Sequence, residues 1–325
     1  MKLNTSKMMF IYVIFMTTLI SLSSKLISLS SNNWLTIWIM METALFMLIP
    51  LMSKNKINDQ SMKYFIIQST SSYILIFSIL WNSLNETNLN SLMTLISLMI
   101  KIGMPPFHTW KPMMMSNLGW MECVILSTLI KIPPMVLINS LIDLKMLILP
   151  LTMTLMVGSI SGIDQLNLKK LMAYSSIFNL TWMTSSFLLS KKISLTFMII
   201  YSMLNLKTMF FFKLNNLIYT NQMMHMPLKM KLVMNLNLLS ISGLPPLSGF
   251  FPKWIILNEL IKNSIILPSI MVITSVISMF VYIQVNSFSF SNFYVKKKNN
   301  KIFWMKNLSA INLIILIAVI NLWVY

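Results

Sequence analysis

The sequence predicts an all-α polytopic membrane protein with about eleven transmembrane helices. Three observations predict it. First, 56% of the 325 residues are hydrophobic and only 10% are charged, with a mean hydropathy of +0.75. A water-soluble domain carries roughly 25% charged residues. Second, the apolar residues come in long runs, close to the roughly 20 residues a helix needs to cross about 30 Å of hydrocarbon. Third, the runs do not alternate in polarity as barrel strands do. Backbone groups in hydrocarbon must find partners within their own segment, so the runs are helices.

In order, the expected spans cover about 8–24, 33–52, 62–81, 91–115 (interrupted), 118–139, 145–162, 168–189, 194–219, 230–262 (interrupted), 265–288 and 307–324. The start, Lys2 and Lys7 before an apolar run, has some features of a signal peptide but no clear small-residue cleavage site, so the first span is read as retained. Residues 1–325 are read as a single membrane domain whose halves run roughly 33–162 and 168–288.

The formal net charge is +18. In a soluble chain that would suggest nucleic acid. Here the lysines lie mostly between apolar runs, where they set topology and meet anionic headgroups, so no nucleic-acid partner is expected. Lys2, Lys7, Lys54, Lys56, Lys63, Lys111, Lys169, Lys170, Lys229, Lys231, Lys296, Lys297, Lys298, Lys301 and Lys306 fall on the side of the N-terminus. Lys25, Lys145, Lys191, Lys192 and Lys262 fall opposite. This bias puts the N-terminus inside, and an odd number of spans puts the C-terminus outside.

One cysteine, Cys123, excludes a disulfide framework or a four-cysteine iron–sulfur cluster. Two distant histidines, His108 and His225, speak against haem or zinc. Six glycines leave little room for a nucleotide fingerprint. No cofactor or metal of its own is expected for this chain. The absence of arginine, with abundant Lys, Asn, Ile, Met and Phe, follows AT-rich codons and hints at an organellar genome.

Two spans share an unusual motif. One contains Lys101-Ile-Gly103-Met-Pro105-Pro106-Phe-His108, the other Ser242-Gly243-Leu-Pro245-Pro246-Leu-Ser-Gly249-Phe250-Phe-Pro252-Lys253. Paired prolines remove two backbone donors and clash with the preceding turn, so both helices must break. The breaks lie five spans apart, an odd offset that gives the two halves opposite orientation. That is the pattern of an inverted-repeat transporter, with broken helices flanking an ion path.

Four ionisable residues fall inside spans. Glu42 lies nine positions into its span, about 14 Å deep. Lys101 precedes the first break, Lys253 follows the second, and Lys131 precedes Pro133-Pro134 in the span between them. Each costs roughly 2.5–3.5 kcal/mol at the membrane centre, so each needs a partner or a wet cavity. Glu42 and Lys101 are the natural ion pair by sign and depth. Structural alternatives stand beside these readings: Lys101 and Lys253 can snorkel if the spans shift by a turn, and His108 is as well explained by a structural hydrogen bond as by proton relay. Glu122 and Glu259 lie near span ends and read as interfacial. The helix dipole favours a cation at Lys101, at the end of its half-helix, and disfavours one at Lys253, near the start of its own.

These residues carry a resemblance. Trp38-Ile-Met-Met-Glu42 with Ile49-Pro50, Lys63-Tyr-Phe-Ile-Ile-Gln68, the motif from Lys101 to Trp110, Leu168-Lys-Lys-Leu-Met-Ala-Tyr174, and the motif from Ser242 to Trp254 occur in the order found in the NADH–ubiquinone oxidoreductase chain 2 family. That family comprises antiporter-like subunits of mitochondrial complex I, and the match spans nearly the whole chain. It departs at Pro105, where relatives often have alanine, and at Pro133-Pro134, where one proline is usual.

The resemblance implies a proton-translocating subunit of respiratory complex I, a translocase in the mitochondrial inner membrane, with its N-terminus in the matrix and its C-terminus in the intermembrane space. It implies that Glu42 pairs with Lys101 as a coupling switch, that Lys131 is the central relay lysine and that Lys253 is the terminal one. Other membrane-arm subunits are the implied partners, with membrane lipids such as cardiolipin around them. The complex as a whole uses NADH, flavin, iron–sulfur clusters and ubiquinone. Moving one charge needs about 2.3 kcal/mol per 100 mV, which a chain without a cofactor must receive from its neighbours. An Mrp-type cation/proton antiporter subunit is the alternative, and a purely structural scaffold a third reading.

Overall fold

The computed structural model describes residues 23, 33–52, 59–84, 88–142 and 144–290. The first and last expected spans, 8–24 and 307–324, lie outside the described residues apart from Ser23, as do Lys2, Lys7, Lys25, Lys54, Lys56, Lys296, Lys297, Lys298, Lys301 and Lys306. Nearly all described residues are helical, and among them no strand forms. A lone antiparallel bridge joins Asn167 and Tyr219. Five helical stretches among the described residues are long and apolar enough to cross a membrane: Trp34–Met52, Asp59–Trp81, Trp120–Leu141, Lys191–Leu214 and Ile266–Ser287.

The chain forms two compact units, Met1–Leu147 and Ile148–Tyr325, whose boundary falls inside a helix. The first unit holds α1 (Trp34–Met52), α2 (Asp59–Leu84), α3 (Asn88–Ile102), α4 (Trp110–Asn117), α5 (Trp120–Ser127) and α6 (Ile132–Leu141). Helices α2 and α3 pack most extensively, and α1 and α3 both pack on α6. Helix α7 (Leu144–Ile160) carries the boundary. The second unit continues with α8 (Leu168–Leu189), α9 (Lys191–Leu214), α10 (Leu228–Ser242), α11 (Phe250–Asn263) and α12 (Ile266–Phe290).

Helix α8 is buried on nearly every face from Leu171 to Ser186, as expected of a helix enclosed by neighbours. Its polar side chains satisfy themselves locally. Ser175, Ser176, Thr181 and Ser186 each donate to the carbonyl three residues back. Its start is capped by Asn167, whose side-chain oxygen accepts from the Lys169 N–H at 2.9 Å.

The span expected at 118–139 is not one regular helix. Helix α5 ends at Ser127, Leu129–Lys131 form a 3-10 turn, and α6 starts at Ile132. Pro133 and Pro134 have no N–H to give to the carbonyls of the preceding turn, so the tighter geometry takes over there. Lys131 therefore sits at a helix junction rather than mid-helix.

Candidate functional site

At both Gly-x-Pro-Pro motifs a helix stops and a new one begins, and the two stops share one geometry. Helix α3 ends at Ile102, and Gly103 follows with φ +76°. Helix α10 ends at Ser242, and Gly243 follows with φ +88°. Only glycine enters this left-handed region without strain. In the first stop the N–H groups of Gly103 and Met104 both donate to Met99 O, at 2.9 and 3.0 Å. In the second, Gly243 and Leu244 both donate to Leu239 O, at 3.2 and 3.3 Å. This is a glycine-terminated helix end. Both Pro-Pro bonds are cis.

A helix end leaves carbonyls without helical partners. In the first unit three side chains take them. Trp110 Nε1 donates to Ile100 O at 3.2 Å, Gln68 Nε2 to Lys101 O at 3.2 Å, and Lys111 Nζ to Ile102 O at 3.3 Å. In the second unit a single side chain does this work: Lys253 Nζ donates to Ser242 O at 2.9 Å and Ile241 O at 3.3 Å.

The structure brings Glu42 and Lys101 together. Lys101 Nζ lies 3.1 Å from Glu42 Oε1, with side-chain exposures of 4% and 18%. Tyr64, Gln68, Met41 and Pro133 join Lys101 in lining a small cavity. Lys131 is buried and belongs to the same unit. His108 lies between α3 and α4, half-buried, and its Nδ1 has no hydrogen-bond partner among the described residues.

In the second unit the Lys253 ammonium also faces two rings, 5.6 Å from the Phe178 centroid and 5.5 Å from that of Trp182. A small cavity beside it is lined by Asn179, Tyr201, Leu204 and Ile241. The dipole expectation for Lys253 is corrected here. The residue belongs to the first turn of α11, but its side chain folds back to the carbonyl end of α10, where a cation is favoured.

Two further corrections concern lysines read as loop residues. Lys111 is buried, because α4 begins one residue before it and turns it back onto the end of α3. Lys231 is also buried, in the first turn of α10. One internal lysine escaped the sequence reading: Lys207, buried in the middle of α9. Its signal was its place inside an apolar run, the same signal that picked out Lys131. Glu122 has a local task, accepting the Gly119 N–H at 2.9 Å as part of a helix start. Glu259 pairs with the exposed Lys262 at 2.9 Å.

Comparison with known proteins places the chain. The family NADH:quinone oxidoreductase/Mrp antiporter, TM, matches residues 80–278. NADH-ubiquinone oxidoreductase chain 2 of Locusta migratoria is 34% identical over 98% of this chain and 94% of its own length. The protein of the same name from Anopheles gambiae is 34% identical over 86% of this chain and 85% of its own. Among solved structures, a chain of respiratory complex I from Thermus thermophilus with bound aureothin superposes with a TM-score of 0.81 at 17% identity, over 94% of this chain and 77% of that one. A chain of the Mrp complex from Dietzia sp. DQ12-45-1b superposes with a TM-score of 0.68 at 14% identity, over 87% of this chain and 61% of that one. With polar helix ends built around buried lysines and a match at this level along nearly its whole length, the chain belongs to the NADH:quinone oxidoreductase/Mrp antiporter transmembrane family.

Proposed function

We propose that the chain is a proton-translocating membrane-arm subunit of NADH:ubiquinone reductase in the mitochondrial inner membrane. The observation that carries this reading is the full-length similarity to proteins named NADH-ubiquinone oxidoreductase chain 2. The site supports it through the ion pair of Glu42 and Lys101, which lies against a cavity in the same unit as Lys131. Separating Glu42 from Lys101 leaves a buried lysine without its counter-charge, which favours release of its proton. A neighbouring subunit that pulls on α1 thereby drives a proton step here. Glu42, Lys101, Lys131 and Lys253 are the relay, and His108 is a weaker member.

In this reading the chain crosses the membrane about eleven times as an inverted repeat with two broken helices. Its N-terminus lies on the matrix side and its C-terminus in the intermembrane space. Other membrane-arm subunits are its neighbours, and cardiolipin is among the lipids around it. In this reading NADH, flavin, iron–sulfur clusters and ubiquinone are held by other subunits; for the clusters, one cysteine and two histidines give this chain too few ligands.

A native gel of the solubilised source membranes tests the proposal. It is stained for NADH dehydrogenase activity, and the band is searched for this chain by mass spectrometry. Co-migration with a large active complex is expected. Migration apart from that activity, with sodium-dependent transport by the isolated chain, would instead establish the Mrp-type antiporter, which the family match also spans.

A further inference from the structure

The cavity beside Lys101 lies wholly within the first unit. Apolar side chains of α1, Ala44 among them, form one wall, and Pro133 and Pro134 of α6 belong to another. Lys101, Gln68 and Tyr64 are the polar residues that line it. Its volume of about 20 Å³ admits one water, for which roughly 10–15 Å³ suffices. A buried water also needs about two to four polar partners, and these three residues supply them.

Each of the three is suited to such a partner. An ammonium has three donors, and the bond from Lys101 Nζ to Glu42 Oε1 engages one. Gln68 donates an amide N–H to Lys101 O at 3.2 Å. A carbonyl only accepts, so this bond fixes the amide with its nitrogen towards α3 and leaves Oε1 as an acceptor. Tyr64 is 1% exposed, and its ring packs on Trp110 with centroids 6.1 Å apart. Trp110 is held in turn by its bond to Ile100 O at 3.2 Å. A buried tyrosine hydroxyl ordinarily takes a hydrogen-bond partner, and a water in the cavity supplies one.

We infer that Tyr64 and Gln68 hold a water against the Lys101 ammonium, and that this water is the partner to which the ammonium turns when Glu42 is drawn away; the inference rests on the relay reading above. Tyr64 is then a positioning residue, which carries no charge and fixes the water. The site lets the ion pair open without leaving the ammonium among apolar side chains alone, where a charge with no partner is costly. Gln68 serves both sides of the arrangement, because the amide that holds the end of α3 also accepts from the water.

The test joins a map to a rate. An electron cryo-microscopy map of the assembled complex that resolves ordered waters is expected to show one within hydrogen-bond distance of Lys101 Nζ, Tyr64 Oη and Gln68 Oε1. Ordered waters elsewhere in the first unit, with none at this position, overturn the inference and leave the relay standing. The rate is that of protons translocated per NADH oxidised in sealed membranes. Tyr64→Phe removes the hydroxyl and keeps the ring on Trp110. Ala44→Leu fills the cavity from its apolar wall and alters no polar group. Each variant is expected to keep the Glu42–Lys101 pair, to lose the water and to lower translocation roughly fivefold, the effect of about one lost hydrogen bond. Normal translocation in both, with Lys101→Met impaired, overturns the inference alone. Normal translocation in Lys101→Met overturns the relay and this inference with it. If neither variant assembles, the map of the unaltered complex decides by itself.

Discussion

The ammonium of Lys253 reaches back across the Gly-x-Pro-Pro turn to the carbonyl of Ser242, 2.9 Å away, so one side chain ties the start of α11 to the end of α10. Lys253→Met removes the donor from two carbonyls, Ser242 and Ile241. Unmade buried hydrogen bonds of this kind cost about 1–3 kcal/mol each. The variant complex is expected to be thermally weaker and to stop translocating. Lys253→Arg is expected to recover much of the thermal stability and none of the translocation. Thermal inactivation and proton uptake, measured on the same membranes, check both outcomes.

Gly243→Ala places a Cβ 3.0 Å from Lys253 Cδ on a residue with φ +88°. The left-handed backbone alone costs roughly 1–2 kcal/mol with a side chain. The contact also pushes the lysine away from Ser242 O. Lower translocation per NADH, in a complex that still assembles, is the expected reading on a native gel and a proton-uptake assay. Unchanged coupling would show that Lys253 tolerates displacement.

Glu42 and Lys101 form an unequal pair, because the glutamate side chain is 18% exposed and the lysine side chain only 4%. Glu42→Gln leaves the deeper charge unmatched and is expected to cost about 3 kcal/mol. Lys101→Met leaves the shallower one and is expected to cost less. The double variant is expected to be more stable than Glu42→Gln alone. Thermal stability across this double-mutant cycle measures the coupling, and additive effects would rule out a functional ion pair.

Gln68→Leu removes the donor to Lys101 O without touching the ion pair. A stability loss of about 1–2 kcal/mol is expected. Translocation is expected to fall less than for Lys101→Met, since the lysine keeps its carboxylate. Equal losses in the two variants would mean that Gln68 is as close to the chemistry as Lys101 is.

Much of this molecule was legible in local sequence. The lengths of the apolar runs match the described helices to within a few residues, and α8 runs from Leu168 to Leu189 as expected. Paired prolines lack donors wherever they occur, so the two stops were readable without a fold. So was the demand of Glu42 and Lys101 for partners, because charge in hydrocarbon is costly in any arrangement. Lys207 was legible in the same way, by its place inside an apolar run, and was passed over.

The tertiary structure decided the rest. Depth along a helix can be counted only while the helix continues, and beyond a break the count fails. Lys111 therefore read as a loop lysine, whereas α4 turns it back under α3. The dipole argument for Lys253 failed for a related reason: its side chain is long enough to leave its own helix start and settle on the carbonyl end of another. The sequence by itself determined which runs are apolar and helical, where paired prolines interrupt them and which side chains are too costly to leave alone, because those are properties of single residues and short runs. Which carbonyl or charge Lys101, Lys111 and Lys253 meet depends on residues between 9 and 59 positions away, and only the packed helices bring those together.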